Sequence, residues 1–362
     1  MSALLREFAF HFRTAAILLV APVLLFFNHS RAAEMDLLPL PSGATNSLHD
    51  WETIYRPASL KRMQEVMGPF PRHDRSRPPQ YSIVEDVDCG DYSRQLISYE
   101  SEPGSIVPAY LLIPKKVLPS NAKTFGILCL HQTRPEGQKV VVGLADSPSD
   151  QYAVELVRRG YVCIAPPYPH LANYAPDLKS LGYDSGTMKA IWDNIRALDL
   201  LESLPYIQRG QFGAIGHSLG GHNSLYTAAF DQRIKVVATS CGFDSFRDYM
   251  NGNIRGWTSE RYMPRLLYHY PAYPFDFHDI LAAIAPRSIF ISAPRGDSNF
   301  QWGSVDRVVA SAKPVFDLYL ASSNLIVEHP EIGHLFSDEM RQRAYEMIES
   351  VLPLQGRKPV EK

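Results

Sequence analysis

Cysteine is scarce in this 362-residue chain. It has four, Cys89, Cys129, Cys163 and Cys241. They are scattered and never spaced C-x-x-C, which excludes the usual zinc-site and dithiol motifs. An excess of one charge is also missing. The formal net charge is -2, with no long basic run, so nothing argues for a polyanionic partner such as nucleic acid. There is no internal repeat, which excludes a propeller or solenoid, and no low-complexity segment. No motif calls for a metal or cofactor, and neither is expected.

What is present is ordinary globular material. Hydrophobic residues make up 45% and charged residues 20%, the composition of a chain that buries a core. The length suits one α/β domain with insertions.

The N-terminus is different. Arg6 and Arg13 lead into an apolar run over residues 15–27, followed by Ser30-Arg31-Ala32. A basic start, a short apolar stretch and small residues at the cleavage offsets are the pattern of an export signal. The run is too short for a comfortable bilayer crossing. Residues 1–33 are therefore expected to be removed near Ala32, leaving a secreted or periplasmic protein with no stable membrane insertion. The alternative is an uncleaved tether carrying the same domain outside. Any disulfide would then be permitted, but Cys129 and Cys163, in two apolar runs, are expected to pack as free thiols.

Residues 34–80 are rich in Pro and Arg and weakly periodic. One helix is expected over 60–67, stopped by Gly68-Pro69, in an arm that wraps on the main domain. Three strand-like runs follow with no helix between them, at 81–87, 94–99 and 107–113. They should pair antiparallel. The rhythm then changes to apolar runs alternating with helical patterns. Strands are expected at 125–130, 161–165, 211–215, 234–239, 288–292 and 324–328. Helices are expected at 150–159, 186–204, 219–229, 305–319 and 338–352. Such alternation demands a parallel sheet with helices on both faces. The expectation is a mixed, mostly parallel sheet of about eight strands.

Two stretches break this rhythm, 171–185 and 243–285. The second is aromatic-rich, with Phe246, Tyr249, Trp257, Tyr262, Tyr268, Tyr270, Tyr273, Phe275 and Phe277. Loops this long in a compact domain are usually lids or binding walls. It is read as a cap or lid insertion.

The chemistry is carried by Gly216-His217-Ser218-Leu219-Gly220. An apolar strand runs into this G-x-S-x-G and a helix runs out of it, the setting of a nucleophile elbow. Glycines on both sides relieve a sharp turn that lifts the serine hydroxyl above the sheet. The hydroxyl needs a base, and His334, between the last strand and last helix, is the candidate. His329 is its rival. The acid should lie between serine and histidine. Asp297, after the strand at 288–292, comes first, Asp244 second, and Asp306 is read as a helix-surface residue. Donors for the oxyanion are expected from the backbone N–H of Leu219 and from the loop His131-Gln132-Thr133, with Thr133 before Gln132. Trp257 and Tyr262 could stack on a sugar ring. Arg134 or Arg295 could receive a substrate carboxylate.

Together these features, GHSLGG after a strand, the LHQT loop, the GD acid loop and the late GH, resemble the dienelactone hydrolase/acetyl xylan esterase-like branch of the α/β-hydrolase superfamily. The resemblance covers about residues 81–352. It implies the α/β-hydrolase fold, with Ser218 as nucleophile, Asp297 as acid and His334 as base. It departs at two points. Dienelactone hydrolases use a cysteine where this chain has Ser218, which argues against their reaction. Carbohydrate esterases of this type usually carry HG after the third strand, where this chain has His131-Gln132. The function expected is exported hydrolysis of carboxylic esters, with a small-molecule or carbohydrate ester as substrate. A serine peptidase of the prolyl-oligopeptidase type and a non-catalytic hydrolase-fold binding protein are the alternatives.

Overall fold

A continuous apolar run such as Thr124–Leu130 has to be covered on both faces, and in the computed structural model it is. The structure describes residues 39–117 and 123–354, which belong to one unit, Leu37–Lys362. The expected export signal lies outside the described residues. Among the described residues no helix is long and apolar enough to cross a membrane.

The strands are β1 (Tyr81–Asp88), β2 (Tyr92–Glu102), β3 (Ser105–Pro114), β4 (Thr124–Leu130), β5 (Val162–Ala165), β6 (Ile207–His217), β7 (Ile234–Ser240), β8 (Ser288–Ser292) and β9 (Leu325–Glu328). They form one nine-stranded sheet in the order β1-β2-β3-β5-β4-β6-β7-β8-β9. The first three strands and the β3–β5 contact are antiparallel, and every pair from β5 to β9 is parallel. Among the described residues nine strands stand where about eight were expected, in the mixed arrangement the pattern required. β2 and β3 run longer than their apolar cores suggested, because a tight turn with Gly104 at φ 81° lets pairing continue to its edge.

The helices are α1 (Leu48–Asp50), α2 (Arg56–Met67), α3 (Tyr152–Arg159), α4 (Gly186–Ser203), α5 (Leu219–Phe230), α6 (Phe277–Ile284), α7 (Trp302–Leu318) and α8 (Asp338–Val351). On β4, Leu128 and Leu130 join the core on the α4–α5 side, while Ile127 and Cys129 face the side of α3 and α8. Each such buried side chain contributes about 1.5–3 kcal/mol. Cys129 and Cys163 are buried free thiols in this second layer.

The arm contributes Trp51, Met63, Val66 and Met67 to the core. Arg62 is paired to Asp279 of α6 at 2.7 Å. The stretch 243–285 is not uniform loop. It opens with short 3-10 turns at Tyr249–Gly252, Ile254–Trp257 and Pro264–His269 and ends in α6. All eight residues of α6 are buried, and its start is a capping box built by Asp276 and Asp279. The D-x-x-D spacing at its entry was the local signal for this helix.

Candidate active site

β6 ends at His217, and the chain turns at once into α5. Ser218 sits at that turn with φ 52° and ψ -121°, a conformation that costs a non-glycine residue of order 1–3 kcal/mol. The neighbours make it possible. A Cβ at Gly216 would come within 2.1 Å of the Gly220 carbonyl carbon, and one at Gly220 within 1.9 Å of the Leu130 oxygen. Only glycine tolerates backbones this close.

Three loops at the carboxyl ends of parallel strands converge on this turn. The Ser218 hydroxyl lies 3.0 Å from Nε2 of His334, on the loop between β9 and α8. Nδ1 of the same ring lies 2.9 and 3.0 Å from the two carboxylate oxygens of Asp297, after β8. The Asp297 side chain is only 2% exposed. Burial alone would raise its pKa, but the His334 contact and the Asn299 amide outweigh burial and hold it below the usual carboxylate range. The Asn299 and Phe300 amides donate to Asp297 Oδ1 at 2.7 and 3.2 Å. They follow the acid by two and three residues, the Asx-turn spacing that could have singled them out in the sequence.

The rivals are elsewhere. His329 is paired with Asp306 at 2.9 Å and with the Ala293 carbonyl at 2.7 Å, so the rival base is held by a helix carboxylate away from Ser218. Asp244 is buried after β7 and accepts from the Gln301 amide at 3.1 Å. Its other oxygen has no hydrogen-bond partner among the described residues. Burial, reinforced by neighbouring carboxylates, lifts it to about 8.

The row Ser218–His334–Asp297 opens into a cavity of about 380 Å³. Gln132, Thr133, Leu219, Trp257 and Tyr262 line it, with Tyr249, Gly256, Asn299, Phe300 and His217, which the sequence did not assign to the site. Leu219 is the first residue of α5, so its N–H has no intrahelical acceptor and the positive helix end points at the serine. The loop after β4 is pinned by His131. Its Nε2 accepts from the Tyr168 amide at 2.9 Å, which leaves Nδ1 to donate to the Gln132 carbonyl at 2.8 Å. Burial pushes His131 down to about 4, so the ring stays neutral in this strut. His217 packs against His334 with ring centroids 4.9 Å apart. Burial, then the facing His334, pushes its pKa down, so it adds no charge beside the base.

Trp257 and Tyr262 form one wall and are mostly buried themselves. Trp257 stacks on His222 at 4.3 Å, and Tyr262 faces Thr133 across 3.3 Å between hydroxyls. Arg134 supplies no atom to the lining, and its guanidinium pairs with Glu136 at 3.1 Å. Arg295 pairs with Glu331 at 3.0 Å and lies over the Trp302 ring. Cys241, at the end of β7, places its sulfur within 4.8 Å of ligand atoms on Asp297 and His334.

Comparison with known proteins sets this geometry in context. No family model matches the chain. It is 28% identical over 163 residues to the "Putative hydrolase YtaP" of Bacillus subtilis (strain 168), a match covering 45% of this chain and 53% of that protein. The match thus spans about half the length of that relative. Among solved structures, it is similar to a glucuronoyl esterase from Solibacter usitatus, with TM-score 0.65 and 17% identity over 84% of this chain and 94% of the other. A carbohydrate esterase family 15 glucuronoyl esterase from Caldicellulosiruptor kristjansonii gives TM-score 0.60 and 18% identity over 87% and 88%. Acetyl Xylan Esterase 1 from Thermoanaerobacterium sp. JW/SL YS485 gives 0.52 and 14% over 84% and 94%. With its sheet order, the turn at Ser218 and these neighbours, the chain has the α/β-hydrolase fold.

Proposed function

We propose that this protein is an exported serine hydrolase that cleaves carboxylic esters, with a sugar ester as its substrate. The observation that carries the reading is the unbroken row from Asp297 through His334 to a strained Ser218 at the floor of a cavity.

In this reading His334 Nε2 takes the Ser218 proton as the oxygen attacks the ester carbonyl. The oxyanion is held by the N–H groups of Leu219 and Thr133, with Gln132 next to them; each such donor is worth about two to three orders of magnitude in rate. The alcohol leaves with the proton from His334, and water then repeats the cycle on the acyl-enzyme. Asp297 keeps the imidazole in the right tautomer and stabilises its charged form.

Trp257 and Tyr262 are assigned to the substrate wall, where flat rings suit pyranose faces. The solved relatives named as glucuronoyl and acetyl xylan esterases support a carbohydrate ester. Arg134 would have to leave Glu136 before meeting a substrate carboxylate. Residues 1–33 are assigned to export, 34–80 to an arm, and 81–352 to the catalytic domain with its insertion at about 243–285.

The test is labelling by a fluorophosphonate probe, together with a panel of p-nitrophenyl esters, acetylated sugars, glucuronoyl esters and aminoacyl-p-nitroanilides. Labelling at Ser218 with ester turnover is expected. Silence on every ester with no label, or a preference for the anilides, would overturn the reading.

A further inference from the structure

Cys241 has no place in the proposed reaction, yet it is built into the site. It is 2% exposed and held at φ 48°, a conformation that a side-chain-bearing residue adopts at a cost. Its amide donates to the Ser292 carbonyl at 2.9 Å, fixing it between the ends of β7 and β8, below the Asp297 loop. The thiol hydrogen-bonds with the Asp297 carboxylate, and the sulfur lies 3.7 Å from the Leu335 carbonyl and 3.6 Å from the Ser240 hydroxyl. One ligand atom each from Cys241, Asp297 and His334 lie within 4.8 Å of one another.

We propose that Cys241, Asp297 and His334 form an inhibitory binding site for a thiophilic divalent cation, Zn2+ or Cd2+. The ligand set is the argument. One thiolate, one imidazole and one carboxylate match the preferences of these ions and not those of Mg2+ or Ca2+, which take oxygen ligands. Thiolate and carboxylate together cancel the charge of the ion, which burial requires. Tetrahedral bonds place such ligand atoms about 3–4 Å apart, so the present cluster closes with a shift of about 1 Å. His334 opens to the cavity, and its neighbour Leu335 is exposed, which gives the ion its way in.

The consequence follows from proton bookkeeping. The thiol proton goes to solvent as sulfur binds the ion. Binding at Nδ1 requires the other tautomer of the neutral ring: the Nδ1 proton leaves to solvent, Nε2 takes one proton from solvent, and Asp297 stays ionised as a ligand. Nε2 then no longer accepts from Ser218, and attack stops. No bond to substrate and no redox change is involved. The inhibitory half of this inference rests on the proposed hydrolase reading; the binding half does not.

The test uses the full chain in a Cys89→Ser background, since Cys89 is the half-buried thiol. Cd2+ is titrated while two signals are read: the ultraviolet thiolate-to-cadmium charge-transfer band and turnover of p-nitrophenyl acetate. One Cd2+ per chain, appearance of the band, and inhibition reversed by chelator are expected. Cys241→Ala and the closer-sized Cys241→Ser should lose the band and, measured against each variant's own metal-free turnover, raise the inhibition constant about tenfold or more. A band and an inhibition constant unchanged in both variants would overturn the site, as would titration with no band. A band without hydrolysis of any ester would uphold the site and sink the hydrolase reading instead.

Discussion

Two buried polar clusters lie on opposite courses in this molecule. One is the row Ser218–His334–Asp297. The other surrounds Lys189 of α4, which is fully buried. Lys189 pairs with Glu102 at 2.9 Å and with Asp193, and it donates to Ser101 at 3.1 Å. Tyr183 and Tyr174 donate to the two carboxylates at 2.8 and 2.7 Å, and His73 of the arm reaches Glu102 at 2.7 Å. Both clusters bury carboxylates. The Lys189 cluster closes on itself, with a cation between its anions and hydroxyls on their flanks, and it ties β2, α4, the arm and the 171–185 stretch together. The Ser218 row has no cation, a strained backbone, and one end open to a cavity. Polar groups whose partners are all inside the protein serve the fold. A chain of partners that ends at a cavity leaves its last group for a ligand.

The sharpest way to break this contrast is Ser218→Ala. Turnover should fall by roughly five to six orders of magnitude, while the thermal midpoint moves little. Near wild-type turnover in a purified variant would end the assignment. Asp297→Asn should cost about 10⁴-fold in kcat by losing the tautomer that Asp297 holds, whereas Asp244→Asn should cost far less. If the two results were exchanged in steady-state kinetics, the acid would move to Asp244.

Lys189→Met tests the closed cluster. It leaves two buried carboxylates without their cation, which typically destabilises by about 3–5 kcal/mol. Urea unfolding should show that loss, and the folded fraction should keep its kcat. A change in kcat without a change in stability would mean that the cluster is not merely structural.

The smallest effect concerns Asp244. Its folded pKa is lifted to about 8 by burial and nearby carboxylates, above the ordinary carboxylate value. The folded state therefore holds a proton that the unfolded state has released, and this contribution to stability declines as pH rises toward 8. Asn mimics the neutral form and removes the slope. The thermal midpoint of Asp244→Asn relative to wild type should therefore climb between pH 5 and 8. Asp276, raised to about 7 by burial, keeps part of the slope in both proteins. A difference that stays level with pH would show that Asp244 is ionised in the fold.

Much of this molecule was legible as sequence because the relevant physics is local. Apolar runs covered on two faces, helical periods between them, and a glycine-flanked serine between strand and helix are all set by neighbours a few residues apart. Those features led to the alternating sheet and to Ser218. The capped helix α6 was legible too, through Asp276 and Asp279, but the aromatic density around it hid the signal. What no local pattern could decide was which distant groups meet. Ser218 and His334 are 116 residues apart, and His334 and Asp297 are 37 apart. His329, the lower-ranked rival base, ended up bound to Asp306, which the sequence had placed on a helix surface. The strand order and the paths of the loops at the strand ends made that choice. The same assembly put Cys241 beside Asp297 and closed Lys189 into the core, because contact between remote side chains is fixed only when the whole sheet has assembled.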